Sequence, residues 1–286
     1  MRKRLVVFTD LDGCLLDERT YRYDAALPAV EALRRARVPL VLCTSKTRAE
    51  VEPLHRALRL RAPFVVENGG GIVIPEGTRG WRPPLAPRDG GPLVLPIGAP
   101  YAALVQALRE IAAETGLRLL GFSDLPVEEV AERTGLPLEA ARLAAAREFD
   151  EPFVIEGLSG AGEDEAGRRV AEAAQRRGLR ATRGGRFHHL TGPVDKGKAV
   201  RQLLALHEGP TLSVALGDSL NDRSLLEAVD RAVIVPRPDG SPNEALAGAL
   251  PAARRAPWPG PRGWNEAVLG VLAEARARPA REDVAR

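Results

Sequence analysis

The stretch Arg4-Leu-Val-Val-Phe-Thr-Asp-Leu-Asp-Gly13 decides the fold: a run of apolar residues ends abruptly in Asp10 and Asp12, two carboxylates two residues apart. Arg4–Thr9 has the length and continuous apolar character of a strand buried on both faces. In open parallel sheets ligands bind beyond the carboxyl ends of the strands, so the acids stand at the edge where function is expected. Gly13 lets the chain turn sharply behind them. Two acids so close to a sheet repel each other and lose hydration, and a cation or a shared proton relieves both costs. The plain alternative is an Asp-rich turn or helix cap.

Working outward, a helix is expected over Ala25–Ala36, with Leu27, Val30 and Leu33 on one face and Asp24 as N-cap. Val38–Cys43 is a second strand. Thr47-Arg-Ala-Glu50 spells a capping box for a helix running to Leu58, in spite of Pro53. Phe64–Val66 and Ile72–Ile74 are short strands joined through Asn68-Gly69-Gly70. This alternation predicts an α/β fold with a parallel sheet. It breaks in a proline- and glycine-rich stretch over residues 79–100, and resumes with helix Lys196–His207, strand Leu212–Leu216 and further alternating elements. The organisation expected is a core of residues 1–83 and 191–286, with an inserted α/β domain at 84–190.

Composition narrows the function. At 286 residues, one large or two modest domains are expected. With 44% hydrophobic and 28% charged residues the chain can pack a core, which excludes wholesale disorder. A net charge of +3 with 4% aromatics speaks against a nucleic-acid or membrane surface. No apolar run has the length of a membrane span, and Leu5–Thr9 is too short for a signal sequence. Cys14 and Cys43 cannot form a disulfide framework, so a cytoplasmic protein is expected. Lysine occurs only at positions 3, 46, 196 and 198 in a chain whose other 37 basic residues are arginine. A retained lysine therefore marks a place where a compact ammonium is useful.

Three more strand or helix ends carry matching chemistry. Leu216-Gly-Asp-Ser-Leu-Asn-Asp222 puts Asp218 at the end of a second apolar strand and Asn221 and Asp222 at the start of the next helix. Capping explains Asn221 or Asp222 but not Asp218. Carboxylates from two strand ends make a hard-oxygen site suited to Mg²⁺, whereas no His/Cys cluster has zinc-ligand spacing. Thr44-Ser45-Lys46 follows the second strand with hydroxyls and N–H groups. Asp195-Lys196-Gly-Lys198 opens a helix where an ammonium and N–H groups can hold an anion. Alone, Thr44 reads as a cap and Lys196 as a solvated charge; their recurrence at equivalent ends favours phosphate chemistry. Gly192–Lys198 nearly matches a P-loop, but Ala199 replaces its hydroxyl residue and Pro193 removes a cradling N–H.

In this order, Asp10/Asp12, Thr44, Lys196 and Asp218/Asn221/Asp222 resemble the four motifs of the haloacid dehalogenase-like superfamily of phosphotransferases. Thr44–Glu50, Pro63–Gly70, Arg147–Pro152 and Gly184–Leu190 resemble more closely its mannosyl-3-phosphoglycerate phosphatase family. The resemblance implies a Rossmann-like core with a C2-type cap, and Asp10 as a nucleophile that forms an aspartyl-phosphate. It further implies Asp12 as general acid and base, Thr44 and Lys196 on the phosphoryl oxygens, and Mg²⁺ held by Asp10, Asp12 and Asp218, with Asp222 a further ligand. The implied substrate is mannosyl- or glucosyl-3-phosphoglycerate, whose dephosphorylation yields a charged sugar solute. Its carboxylate calls for a cation apart from the catalytic centre, for which Arg142, Arg147, Arg186 and Lys46 are candidates. Ser45, Asn68, Gly69, His188 and Asn221 are candidates for the remaining polar contacts. Sugar phosphatases of other specificity, among them sucrose-phosphatase-like enzymes, a phosphomutase and a non-catalytic phosphosugar-binding module remain as alternatives.

Overall fold

The computed structural model describes residues 3–84, 91–184 and 186–277. Its core is a five-stranded parallel sheet of β1 (Arg4–Thr9), β2 (Leu40–Leu42), β10 (Thr211–Gly217), β11 (Arg231–Ile234) and β12 (Arg254–Arg255), in the order β12-β11-β10-β1-β2. Between β2 and β10 in the chain lie β3 (Phe64–Val66), β4 (Gly71–Ile74) and β5 (Leu93–Pro96), which form a three-stranded antiparallel sheet. A parallel bridge between Cys43 and Val65 joins the two sheets.

Side chains alternate across β1. Val7 enters one hydrophobic cluster with α1 (Leu27–Arg35) and α10 (Gly260–Ala277), while Val6 and Phe8 enter another with α7 (Lys196–Leu206) and α8 (Arg223–Glu227). The sheet is thus covered on both faces, which explains its unbroken apolar strands. Register places the site. Thr9 pairs with Leu216 of β10 on one side and with Leu42 of β2 on the other, so three strands end side by side.

One expectation changes here and another is met. Asp24 lies in a single 3-10 turn and makes no cap; the first turn of α1 is closed instead by Asn265, whose Oδ1 accepts the Ala29 N–H at 2.9 Å. The box predicted at Thr47 does form, opening α2 (Arg48–Ala57).

The intervening residues build an antiparallel sheet of β6 (Leu119–Gly121), β7 (Asp150–Ile155), β8 (Arg180–Arg183) and β9 (His188–Thr191), in the order β6-β7-β9-β8. Helices α3 (Tyr101–Thr115) and α6 (Gly160–Arg176) bury Leu104, Leu108, Val170 and Ala173 with Phe153 and Leu190 of this sheet. Two short helices, α4 (Val127–Thr134) and α5 (Leu138–Ala145), pack on each other around Val130 and Ala141. The insertion is expected at 84–190, and β5 within that range pairs with β4. We propose that the cap begins with α3 and ends with β9. Residues 1–2, 85–90, 185 and 278–286 of the expected ranges lie outside the described residues. No helix among the described residues is long and apolar enough to cross a membrane.

Candidate active site

Because β1 and β10 are adjacent and in register, their first residues beyond the sheet meet. The Asp10 N–H still bonds the Leu216 carbonyl at 3.0 Å, and Asp218 follows β10 directly. Gly13 makes the meeting possible: it has φ +75°, and a Cβ there would stand 2.7 Å from Asp218 Oδ2. Ligand atoms of Asp10, Asp218 and Asp222 lie within 4.8 Å of one another. The loop is pinned from behind by Trp264, whose Nε1 donates to Thr9 Oγ1 at 2.8 Å while that hydroxyl donates to the Asp10 carbonyl at 2.7 Å.

Lys196 answers this negative charge. Its side chain is 1% exposed, and Nζ donates to Asp10 Oδ1 at 2.7 Å and to Asp222 Oδ1 at 2.6 Å. Burial opposes its charge, but Asp10 and Asp222 outweigh burial and hold its pKa above the ordinary lysine value. The carboxylates remain under strain. Burial, then repulsion from Asp222, pushes Asp10 up to about 7 against the pull of Lys196; burial, then repulsion from Asp10 and Asp222, pushes Asp218 up to about 8. Asp12 Oδ1 and Asp218 Oδ1 are buried without a hydrogen-bond partner. Hard carboxylate oxygens, an excess of negative charge and the orphaned Asp218 acceptor fit a hard divalent cation. Asp222 is differently employed: beside Lys196 on Oδ1, its Oδ2 accepts the Asp218 and Ser219 N–H groups at 3.1 and 3.2 Å, tying the loop together.

Thr44, 1% exposed, stands at the end of β2, and its Oγ1 accepts the Lys46 N–H at 3.1 Å, which leaves the hydroxyl proton available. Beside it, Glu67, Asn68 and Gly69 all have positive φ, of 49°, 55° and 96°. Such a run of left-handed residues is costly and persists where its surroundings fix it. Here the fixing groups are the Lys46 and Thr44 carbonyls, which accept the Glu67 and Asn68 N–H groups. The Glu67 carboxylate in turn accepts the Glu148 and Phe149 N–H groups of the cap at 3.0 and 2.8 Å. A Cβ at Gly69 would collide with the Asp195 carbonyl. Asn68 is left with a buried, unpartnered Oδ1.

A cleft of about 470 Å³ is lined by Ser45, Asn68, Lys196 and Asn221 together with Arg180, Thr182, His189 and Thr191. Several expected cap contacts are not brought to it. Arg142 pairs at 3.0 Å with Glu139 on an exposed helix face, and Arg186 donates to the Thr134 carbonyl. His188 turns to the opposite face of β9, stacked on Phe153 at 5.3 Å and 3.3 Å from Glu163. Arg147 is buried beneath the cleft, donating to the Ser45 carbonyl at 3.0 Å. Lys46, expected away from the catalytic centre, is instead 2.9 Å from Asp12 Oδ2, with the Tyr21 ring against it. Sequence reasoning missed His189, Glu67 and Trp264; of these only His189 carried a signal, since adjacent residues on a strand must face opposite ways.

Residues 7–79 match the family model of the haloacid dehalogenase-like hydrolases. The glucosyl-3-phosphoglycerate/mannosyl-3-phosphoglycerate phosphatase of Methanococcoides burtonii is 41% identical over 271 residues, 93% of this chain and 97% of that protein. The chain belongs to the mannosyl-3-phosphoglycerate phosphatase family. Its relative in Pyrococcus furiosus, a mannosyl-3-phosphoglycerate phosphatase, is 36% identical over 80% of this chain and 90% of its own. Among solved structures, a haloacid dehalogenase-like hydrolase from Bacteroides thetaiotaomicron shares the fold, with TM-score 0.67 at 18% identity over 94% of this chain and 100% of that one. The protein is thus a phosphatase, and Asp10, Asp12 and Thr44 lie within the matched hydrolase segment. In this phosphatase Cys14 and Cys43 are buried beside the site, and burial raises both thiols, which keeps them inert.

Proposed function

We propose that this phosphatase hydrolyses the phosphate monoester of glucosyl- or mannosyl-3-phosphoglycerate in the cytoplasm, using Mg²⁺ and an aspartyl-phosphate at Asp10. The observation that carries the reading is the meeting of Asp10, Lys196 and Asp218 at the ends of adjacent strands, in a chain whose relatives are named for these esters. The carboxylates of Asp10 and Asp218 and the main-chain carbonyl of Asp12 would hold the metal, with Asp222 acting through Lys196 and the loop backbone. When bound, a divalent cation offsets the repulsion between the carboxylates and a phosphate dianion and draws charge from a phosphoryl oxygen.

Lys196 holds one oxygen of Asp10 and leaves the other to attack phosphorus. As that bond forms, the bond from phosphorus to the ester oxygen breaks, and Asp12 gives its proton to the leaving alkoxide. Water then attacks the aspartyl-phosphate, Asp12 takes its proton, and Asp10 departs as a carboxylate with release of inorganic phosphate. Two easier displacements replace one difficult attack by water. Lys46 holds Oδ2 of Asp12 at 2.9 Å, which leaves Oδ1 to exchange the proton with the leaving group and with water. Thr44 and Lys196 bind the phosphoryl oxygens, where negative charge spreads during transfer. Ser45, Asn68 and Asn221 line the approach.

The test is a phosphate-release screen with Mg²⁺ over glucosyl- and mannosyl-3-phosphoglycerate, mannose 6-phosphate, sucrose 6-phosphate and 3-phosphoglycerate. The glycosyl-3-phosphoglycerates are expected to have the highest kcat/KM. A preference for plain hexose phosphates overturns the substrate while leaving the chemistry at Asp10 in place.

A further inference from the structure

A chain of polar side chains runs from the cleft face of the cap into the core. His189 lies on β9 opposite Thr182, and with Arg180 and Thr191 it faces the cleft. Its Nδ1 donates to Asp150, at 2.9 Å from Oδ2 and 3.1 Å from Oδ1. Asp150 is fully buried and is also met by Arg147 at 3.7 Å. Arg147, whose side chain is 9% exposed, donates in turn to the carbonyl of Ser45, next to Thr44. A buried carboxylate held between a histidine and an arginine commits Nδ1 and fixes the ring, so the edge bearing Nε2 is the one offered outward. Gly184 keeps that edge clear, since a Cβ there would stand 2.8 Å from Nε2. This arrangement has no use in the transfer of phosphate between Asp10 and water.

We propose that His189 is the cap residue that contacts the non-phosphate part of the substrate through Nε2, and that Asp150 and Arg147 are its positioning residues. In its neutral form Nε2 accepts from a hydroxyl; protonated, it donates to a carboxylate, and a glycosyl-glycerate offers both groups. The identity of the ester rests on the function proposed above, while the role of His189 follows from its presentation in the cleft. Arg147 ties the position of this ring to the loop that binds phosphate.

The experiment compares kcat and KM of the Mg²⁺-loaded enzyme on glucosyl-3-phosphoglycerate and on 4-nitrophenyl phosphate, which has no sugar or carboxylate to be read. His189→Ala is expected to lower kcat/KM for the glycosyl ester about tenfold or more beyond its effect on the aryl ester, chiefly through KM. Gly184→Ala, which crowds Nε2 without touching the catalytic residues, shifts the ratio the same way. Arg147→Met follows His189→Ala, and Arg147→Lys recovers part of the loss. Equal losses on the two esters, or none, for His189→Ala and Gly184→Ala overturn the proposal. The wild-type rate on glucosyl-3-phosphoglycerate tests the function separately; if a hexose phosphate is the better substrate, the same ratio is taken with that ester.

Discussion

Stripping divalent cations from this protein leaves Asp10, Asp218 and Asp222 facing the single ammonium of Lys196, and its stability is then expected to fall as pH rises. Burial foremost holds Asp10 at about 7 and Asp218 at about 8, against 3.8 for an ordinary aspartate. Between those limits the folded protein keeps protons that the unfolded chain has released. The stabilisation is therefore complete below about pH 4 and is lost as pH climbs through 7 and 8. For Asp10 the displacement from 3.8 to about 7 corresponds to about 4 kcal/mol. Asp218 shares the same repulsion, so its contribution is not added to this. In a chain of this size ~1 kcal/mol moves Tm by ~2–4 °C, so the ~3 kcal/mol lost between about pH 5 and about 7 gives a drop of ~5–10 °C. The assay is thermal unfolding followed by circular dichroism with a chelator, at about pH 5 and about pH 8, repeated with Mg²⁺. Mg²⁺ is expected to restore ~3 kcal/mol at about a hundredfold over its Kd, and Asp218→Asn to flatten the pH dependence and weaken the Mg²⁺ effect. A metal-free Tm that rises between these pH values, or a slope untouched by Asp218→Asn, refutes the reasoning.

Asp10→Asn is expected to cut kcat by at least about a thousandfold while leaving Tm unchanged or higher, because it removes the nucleophile and one of the repelling charges together. Steady-state kinetics and a melt on the same sample check this. Lys196→Met leaves buried carboxylates without their cation, so a loss of about 3–5 kcal/mol at neutral pH is expected in denaturant titrations, together with a fall of at least about a hundredfold in kcat. Gly13→Ala forces a Cβ toward Asp218 at a left-handed position, and kinetics with Mg²⁺ titration should show lost activity and weaker metal dependence in a folded protein. Glu67→Gln weakens the acceptor that holds Glu148 and Phe149 and is expected to cost about 1–3 kcal/mol. Arg48→Ala removes only a half-exposed pair with Glu148 and should cost at most about 1 kcal/mol.

Much of this site was legible because neighbouring parallel strands end together. An apolar run followed by an acid at Asp10 and again at Asp218 is enough to expect a meeting once both strands share a sheet, and Thr9 opposite Leu216 realises it. The capping box at Thr47 was legible for a similar reason, since its partners lie three residues apart. What escaped depends on contacts distant in sequence. The cap of α1 comes from Asn265, far along the chain, and Glu67 reaches across to residues 148 and 149. Strand β9 is only four residues, His-His-Leu-Thr, too short and too polar to reveal its period. His188 and His189 had to face opposite ways, but only the packing of α6 on one side decides which faces the cleft. Arg142 and Arg186 were indistinguishable from the other arginines until their partners were known. β5 was hidden in a proline- and glycine-rich stretch, where it pairs with β4 at the edge of its sheet.

The most direct test of the central assignment is to quench the enzyme during turnover of glucosyl-3-phosphoglycerate with Mg²⁺, reduce the protein with borohydride, and sequence its peptides by mass spectrometry. An acyl-phosphate at Asp10 is converted to homoserine at that position, and this is the predicted result, absent when substrate is withheld. Active enzyme that shows unmodified Asp10 and homoserine at another carboxylate would contradict the assignment of Asp10 as nucleophile.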